Sequence, residues 1–109
     1  MYSVLQIEQC RDIIIEIFKD NLNSIILFGS YSKETANDKS DLDIAIITEN
    51  SIDRKTKLDV LNKLWKATSQ KDMQADFVIK TKADFYLEKE LPTIARVIFN
   101  EGKMIWKQN

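Results

Sequence analysis

The sequence predicts an α+β sandwich, a small mixed β-sheet of about four strands with helices packed on it. Three observations carry that reading. Short, wholly apolar runs alternate along the chain with segments whose apolar residues recur at steps of three and four. Only two glycines and one proline are present, too few for the many tight turns of an all-β barrel or sandwich. The chain has 109 residues, 44% of them hydrophobic and 30% charged, which suits one folded domain spanning 1–109 and leaves no room for a large parallel sheet.

Ile7, Cys10, Ile14, Ile17 and Phe18 share one helical face, so the first helix runs over about residues 4–20 and is ended by Asp20-Asn21 and Asn23-Ser24. Cys10 lies on that stripe and reads as a small buried hydrophobe rather than a reactive thiol. Ile25-Ile26-Leu27-Phe28, closed by Gly29, has the look of a strand buried on both faces. A second strand runs from Asp41 to Thr48. Asp53 can cap a helix that presents Leu58, Leu61 and Trp65 and continues to about Ser69. Ala75 to Lys80 is a third strand, and a helix follows from about Ala83. Pro92 cannot continue that helix, so Leu91 is its boundary and Pro92 the first residue of another segment, carrying Ile94, Ala95 and Ile98. Gly102 fits the C′ position of that last helix, and Lys103 to Lys107 forms a lysine-flanked edge strand.

Composition removes several function classes. There is no histidine, which excludes His-based triads and His–zinc sites. One cysteine makes neither an internal disulfide nor a zinc cluster and fits a reducing compartment. Sixteen basic against seventeen acidic residues leave a net charge of −1, without the basic excess of a protein that lives on nucleic-acid phosphates. The start of the chain lacks a basic region followed by an apolar core, and the longest apolar runs are far shorter than the roughly 20 residues that span a bilayer. A cytoplasmic protein with no membrane or direct nucleic-acid contact is expected. Its chemistry must come from carboxylates, hydroxyls, amides, lysines or a hard metal ion.

The informative stretch is Leu27 to Ile44. A buried strand ends in Gly29-Ser30, and a short polar segment follows that could make one or two helical turns. Glycine lets a ligand approach the backbone, and amides at a helix start make an anion site suited to phosphate. Then comes Ser40-Asp41-Leu42-Asp43, entering the next strand. Strand side chains alternate, so Asp41 and Asp43 point one way and Leu42 the other. Two carboxylates side by side repel unless a cation sits between them, and oxygen ligands of this kind suit Mg²⁺. Asp76 offers a third carboxylate at the head of an apolar strand. With it, a two-metal site for in-line displacement at phosphorus becomes possible, and the inferred class is phosphoryl or nucleotidyl transfer. Each feature alone has an ordinary reading, as a turn, a cap or surface charge. The joint order of strand, Gly-Ser, gap, Ser-Asp-x-Asp, strand, helix and Asp-led strand is harder to reach by chance.

Gly29-Ser30, the spacer, Ser40-Asp41-Leu42-Asp43 and the later Asp76 together resemble the signature of the minimal nucleotidyltransferases, a branch of the DNA polymerase β-type superfamily. The similarity covers nearly the whole chain. It implies the nucleotidyltransferase fold, Mg²⁺ on Asp41, Asp43 and Asp76 as the catalytic set, and ATP held at Gly29 and Ser30. Ser40 belongs to the same site, capping or orienting the aspartate loop or touching the ligand. Domains this short resemble the antitoxin of pairs whose other half is a HEPN-domain ribonuclease toxin, some of which transfer AMP from ATP to a tyrosine of the toxin. The rival reading is an antitoxin that neutralises its toxin by binding alone. It is favoured by Glu34, which stands where the family usually has a glycine and puts a negative charge in the loop, with Lys33 and Lys39 close in sequence. A small-molecule nucleotidyltransferase would need a substrate domain that the chain lacks. Tyr31 could stack on a base or simply pack. For Trp65 and Trp106, core or edge packing is the plain expectation.

Overall fold

The computed structural model describes residues 2–33, 35–37 and 40–109. Ser3 caps α1 (Val4–Phe18) through a capping box, its hydroxyl accepting from the Gln6 amide while the Gln6 side chain accepts from the Ser3 amide. α1 stops at Phe18, two residues earlier than expected, because Lys19 leaves helical space at φ 50°. A 3-10 turn, Lys19–Asn21, leads into β1 (Leu22–Phe28). β1 therefore starts three residues before the predicted apolar run. Asn23 and Ser24, expected to be helix-ending polar residues, are strand residues here. Ser24 is buried and registered between Ile47 and Lys107, and the Asn23 amide donates to Glu49 Oε1 at 2.8 Å.

β2 (Leu42–Thr48) lies antiparallel to β1, and β3 (Ala75–Thr81) lies parallel to β2. The parallel pair needs a crossover, which α2 (Arg54–Ser69) supplies. As predicted, Asp53 caps α2, accepting from the Thr56 amide at 2.7 Å. The buried line of α2 is not the predicted one. Leu64 and Thr68 are fully buried, whereas Leu58 and Trp65 are about half exposed. α3 (Lys82–Glu88), α4 (Ile94–Glu101) and β4 (Lys103–Lys107) complete the chain. Pro92 is not in α4: Thr93 is the N-cap and the helix begins after it. Gly102 is the C-cap in extended backbone, φ −74°, rather than a left-handed C′ residue. What it supplies is space, since a Cβ would strike the Ile98 carbonyl and the Ile26 side chain.

The sheet order is β3-β2-β1-β4. Helices cover both faces, which explains why β1 and β2 read as continuous apolar runs. α1 and α2 bury Cys10, Ile14 and Leu64 on Ile25, Leu27, Leu42, Ile44 and Ile46. α3 and α4 bury Phe85, Ala95 and Ile98 on Ile26, Phe28, Ala45 and Ile47. The α+β sandwich expected from the sequence is the observed architecture.

Candidate active site

The parallel pairing of β2 and β3 registers Asp43 directly against Asp76. On its other side, Asp43 is registered against Phe28, the residue before Gly29. Leu42 is fully buried on the α1/α2 face, so alternation turns Asp41 and Asp43 to the α3/α4 face. The three aspartates thus share one end of the sheet, at the β2 and β3 starts, next to the end of β1.

Gly29 is fixed there by two demands. Its φ of +70° is left-handed, and a Cβ would collide with the Asp43 carboxylate. The loop that follows makes one irregular turn rather than a helix. The Lys33 amide donates to the Gly29 carbonyl at 3.3 Å, the Thr35 amide to the Ser30 carbonyl at 2.9 Å, and the Ser32 hydroxyl to the Gly29 carbonyl at 2.9 Å. Ser40 closes its own turn, its amide donating to the Asn37 carbonyl and its hydroxyl accepting from the Asn37 amide, both at 3.0 Å. Lys33 reaches α4, its ammonium 3.3 Å from Glu101. Glu34 and Lys39 lie outside the described residues.

Tyr31 packs. Its ring stacks on Tyr2 at 6.0 Å between centroids, and its hydroxyl accepts from the Tyr2 amide at 2.9 Å. The Tyr2 hydroxyl in turn accepts from the Gln74 amide at 2.6 Å, and the Gln74 carbonyl accepts from the Leu42 amide at 3.0 Å. Tyr2 therefore ties the loop after Gly29 to the residues just ahead of Asp76. No local motif announces this link, because Tyr2 and Gln74 lie 72 residues apart.

Asp43 feels its surroundings. Partial burial, then the charges of Asp76 and Asp41, push its pKa above the ordinary carboxylate value. The donor set is all hard carboxylate oxygen, and it carries repulsion that a divalent cation would relieve, so it fits Mg²⁺. Among the described residues no three or more carboxylate, thiol or imidazole side chains are drawn together as a ready-made cage. Cys10 has no part in this chemistry, since burial pushes its thiol up to about 12.

The edge of the site holds a residue whose exposure the sequence reading missed. An open cleft of about 300 Å³ beside β3 is lined by Asp41, Asp76, Met73, Gln74 and Trp65. Trp65 is 45% exposed and was expected to pack.

Carboxylates thus gather at one end of a mixed sheet, beside a left-handed glycine. The family described as "Polymerase beta, Nucleotidyltransferase" matches residues 12–109, and the chain belongs to it. Among individual proteins it is similar to the protein adenylyltransferase MntA of Shewanella oneidensis, 32% identical over 96 residues, which cover 85% of this chain and 62% of that protein. The chain thus spans less than two thirds of that relative. It resembles a toxin–antitoxin crystal structure with AMP-PNP at 26% identity and a TM-score of 0.59, over 90% of this chain and 73% of that one. It also resembles a complex of tri-AMPylated Shewanella oneidensis HEPN toxin with MNT antitoxin, at 25% identity and a TM-score of 0.53, over 93% and 72% of the two chains. A crystal structure from Sulfolobus solfataricus, 19% identical with a TM-score of 0.61 over 94% of this chain and 84% of that one, shares the fold. Among the described residues no helix is long and apolar enough to cross a membrane.

Proposed function

We propose that this chain is a Mg²⁺-dependent nucleotidyltransferase that moves AMP from ATP to a partner protein, and that it is the antitoxin of a HEPN-type toxin in the cytoplasm. The observation that carries the reading is the Asp43–Asp76 register pair beside Gly29. Asp41, Asp43 and Asp76 would hold Mg²⁺, which when bound supplies charge stabilisation at phosphorus. Gly29 lets phosphate approach the backbone, and Ser30 offers its hydroxyl and amide to the β- and γ-phosphates. Ser40 orients the turn that delivers Asp41. Asp76, exposed at the sheet edge, would take the proton of an attacking hydroxyl. The AMP-modified toxin in a similar complex, and the adenylyltransferase relative, support protein as the acceptor.

The test is the intact mass of the partner toxin after incubation with ATP and Mg²⁺. Wild type should add one AMP unit or multiples of it. Loss of several kcal/mol of charge stabilisation should make Asp43→Ala slower by at least about a hundredfold. An unchanged partner mass, with both proteins neutralising the toxin equally, would select neutralisation by binding alone, the reading that Glu34 favours.

A further inference from the structure

We infer that Tyr2 is a positioning residue of this site: from behind the sheet it locks the loop after Gly29 to the head of β3, holding Ser30 and Asp76 in one frame. The inference rests on the site assignment above, and Tyr2 acts through those residues rather than on substrate.

The sheet alone does not place the whole site. Strand register fixes Asp43 against Asp76 on one side and against Phe28 on the other. Beyond Phe28 the chain leaves β1, and the Lys33 and Thr35 amides bond back to the loop's own carbonyls at Gly29 and Ser30. Those bonds give the loop a shape without giving it a place. The Lys33–Glu101 ion pair reaches α4, but both side chains are about half exposed, so water weakens it. Tyr31 supplies the firmer hold. It is the neighbour of Ser30, its ring packs on the α1/α2 core, and its hydroxyl accepts from the Tyr2 amide.

Tyr2 carries that hold across to β3. Its hydroxyl accepts from the amide of Gln74, which stands just ahead of Ala75 and Asp76. Gln74 passes the tie on, its carbonyl accepting from the amide of Leu42, between Asp41 and Asp43. Tyr2 also precedes Ser3, the cap of α1, and Cys10 and Ile14 anchor α1 in the core. The tether is thus fastened to a rigid helix instead of hanging between two loops. Tyr2 packs on the α1/α2 cluster, whereas the aspartates turn to the α3/α4 face. It works from the far side of the sheet, away from the reacting atoms. Transfer chemistry is sensitive to such a frame, since a misplacement of about 1 Å can cost about a hundredfold in rate.

The test uses Tyr2→Phe, Tyr31→Phe and the double variant of the whole chain. Tyr2→Phe keeps the ring and removes the acceptor of the Gln74 amide. Tyr31→Phe keeps that bond and removes the acceptor of the Tyr2 amide. In AMP transfer to the partner toxin, each should lower kcat about tenfold and leave the KM for ATP within about twofold. The double variant should be no slower than the slower single one, because one broken link in a series already frees the loop. Losses that multiply, or a wild-type kcat in Tyr2→Phe, would overturn the inference. A second readout needs no activity. In the free protein, Tyr31→Phe should speed amide hydrogen exchange at Gln74, although the bond of Gln74 to Tyr2 is untouched by that substitution. Unchanged exchange would make the two bonds independent and overturn the tether. The two readings fail separately. Faster Gln74 exchange in a chain that never changes the partner's mass removes the transfer reading and supports the tether. Transfer at full rate in Tyr2→Phe removes the tether and leaves the enzyme.

Discussion

At the scale of single residues, the Gly29–Asp43 contact ties backbone conformation to site chemistry. A side chain at φ +70° costs about 1–2 kcal/mol in the left-handed region. At Gly29 the added Cβ also meets the Asp43 carboxylate. Gly29→Ala should therefore lower the melting temperature by at least about 4 °C. The loss should shrink in an Asp43→Ala background, where only the backbone strain remains. Thermal melts of the four proteins of that cycle measure the coupling, and an equal loss in both backgrounds would place the carboxylate away from Gly29. That the aspartates meet at one end of the sheet was legible, because strand alternation and the order of the strands bring Asp43 and Asp76 into register. The exposure of Trp65 was not, since a period of three and four marks apolar residues without saying which of two neighbouring stripes is buried. Tyr2 escaped for another reason: local sequence carries no record of a partner 72 positions away.

At the scale of elements, α2 shows what periodicity can and cannot decide. Leu58, Leu61 and Trp65 form one acceptable stripe, and Val60, Leu64 and Thr68 form another, rotated by about one residue. Tertiary packing chose the second, setting Leu64 at 0% exposure and leaving Leu58 at 53%. Leu64→Ala should then destabilise by about 2–5 kcal/mol, while Leu58→Ala stays within about 0.5 kcal/mol. Urea midpoints of the two variants check this, and similar losses would return Leu58 to the core. Element types and order were readable throughout, because runs buried on both faces differ from amphipathic segments. The ends were less so. β1 extends back through Asn23 and Ser24 because neighbouring strands supply partners for their polar groups, which no local propensity reports. α4 starts after Pro92 because Thr93 takes the cap in extended backbone.

At the scale of the whole molecule, stability is coupled to the site through charge. The net charge is only −1, so repulsion is local, where Asp41, Asp43 and Asp76 share one end of the sheet. Burial first, and then the two neighbouring carboxylates, raise the Asp43 pKa above its ordinary 3.8. A carboxyl with a raised native value takes up protons on folding, so its contribution to stability falls as pH rises from 3.8 through that native value. At neutral pH the penalty is fully present. The double variant Asp41→Asn, Asp43→Asn should therefore be more stable than wild type without ligand at neutral pH, and the difference should fade as pH falls toward 3.8. Mg²⁺ with ATP should reverse the order. A ligand that binds only the native state adds about 2.7 kcal/mol at a hundredfold excess over its Kd, and only the wild type keeps the carboxylates to bind it. Thermal melts of both proteins across pH, with and without Mg²⁺ and ATP, decide the matter. An equal gain in both would separate ligand binding from these aspartates, and a double variant weaker than wild type at neutral pH would make them stabilising partners instead of repelling charges.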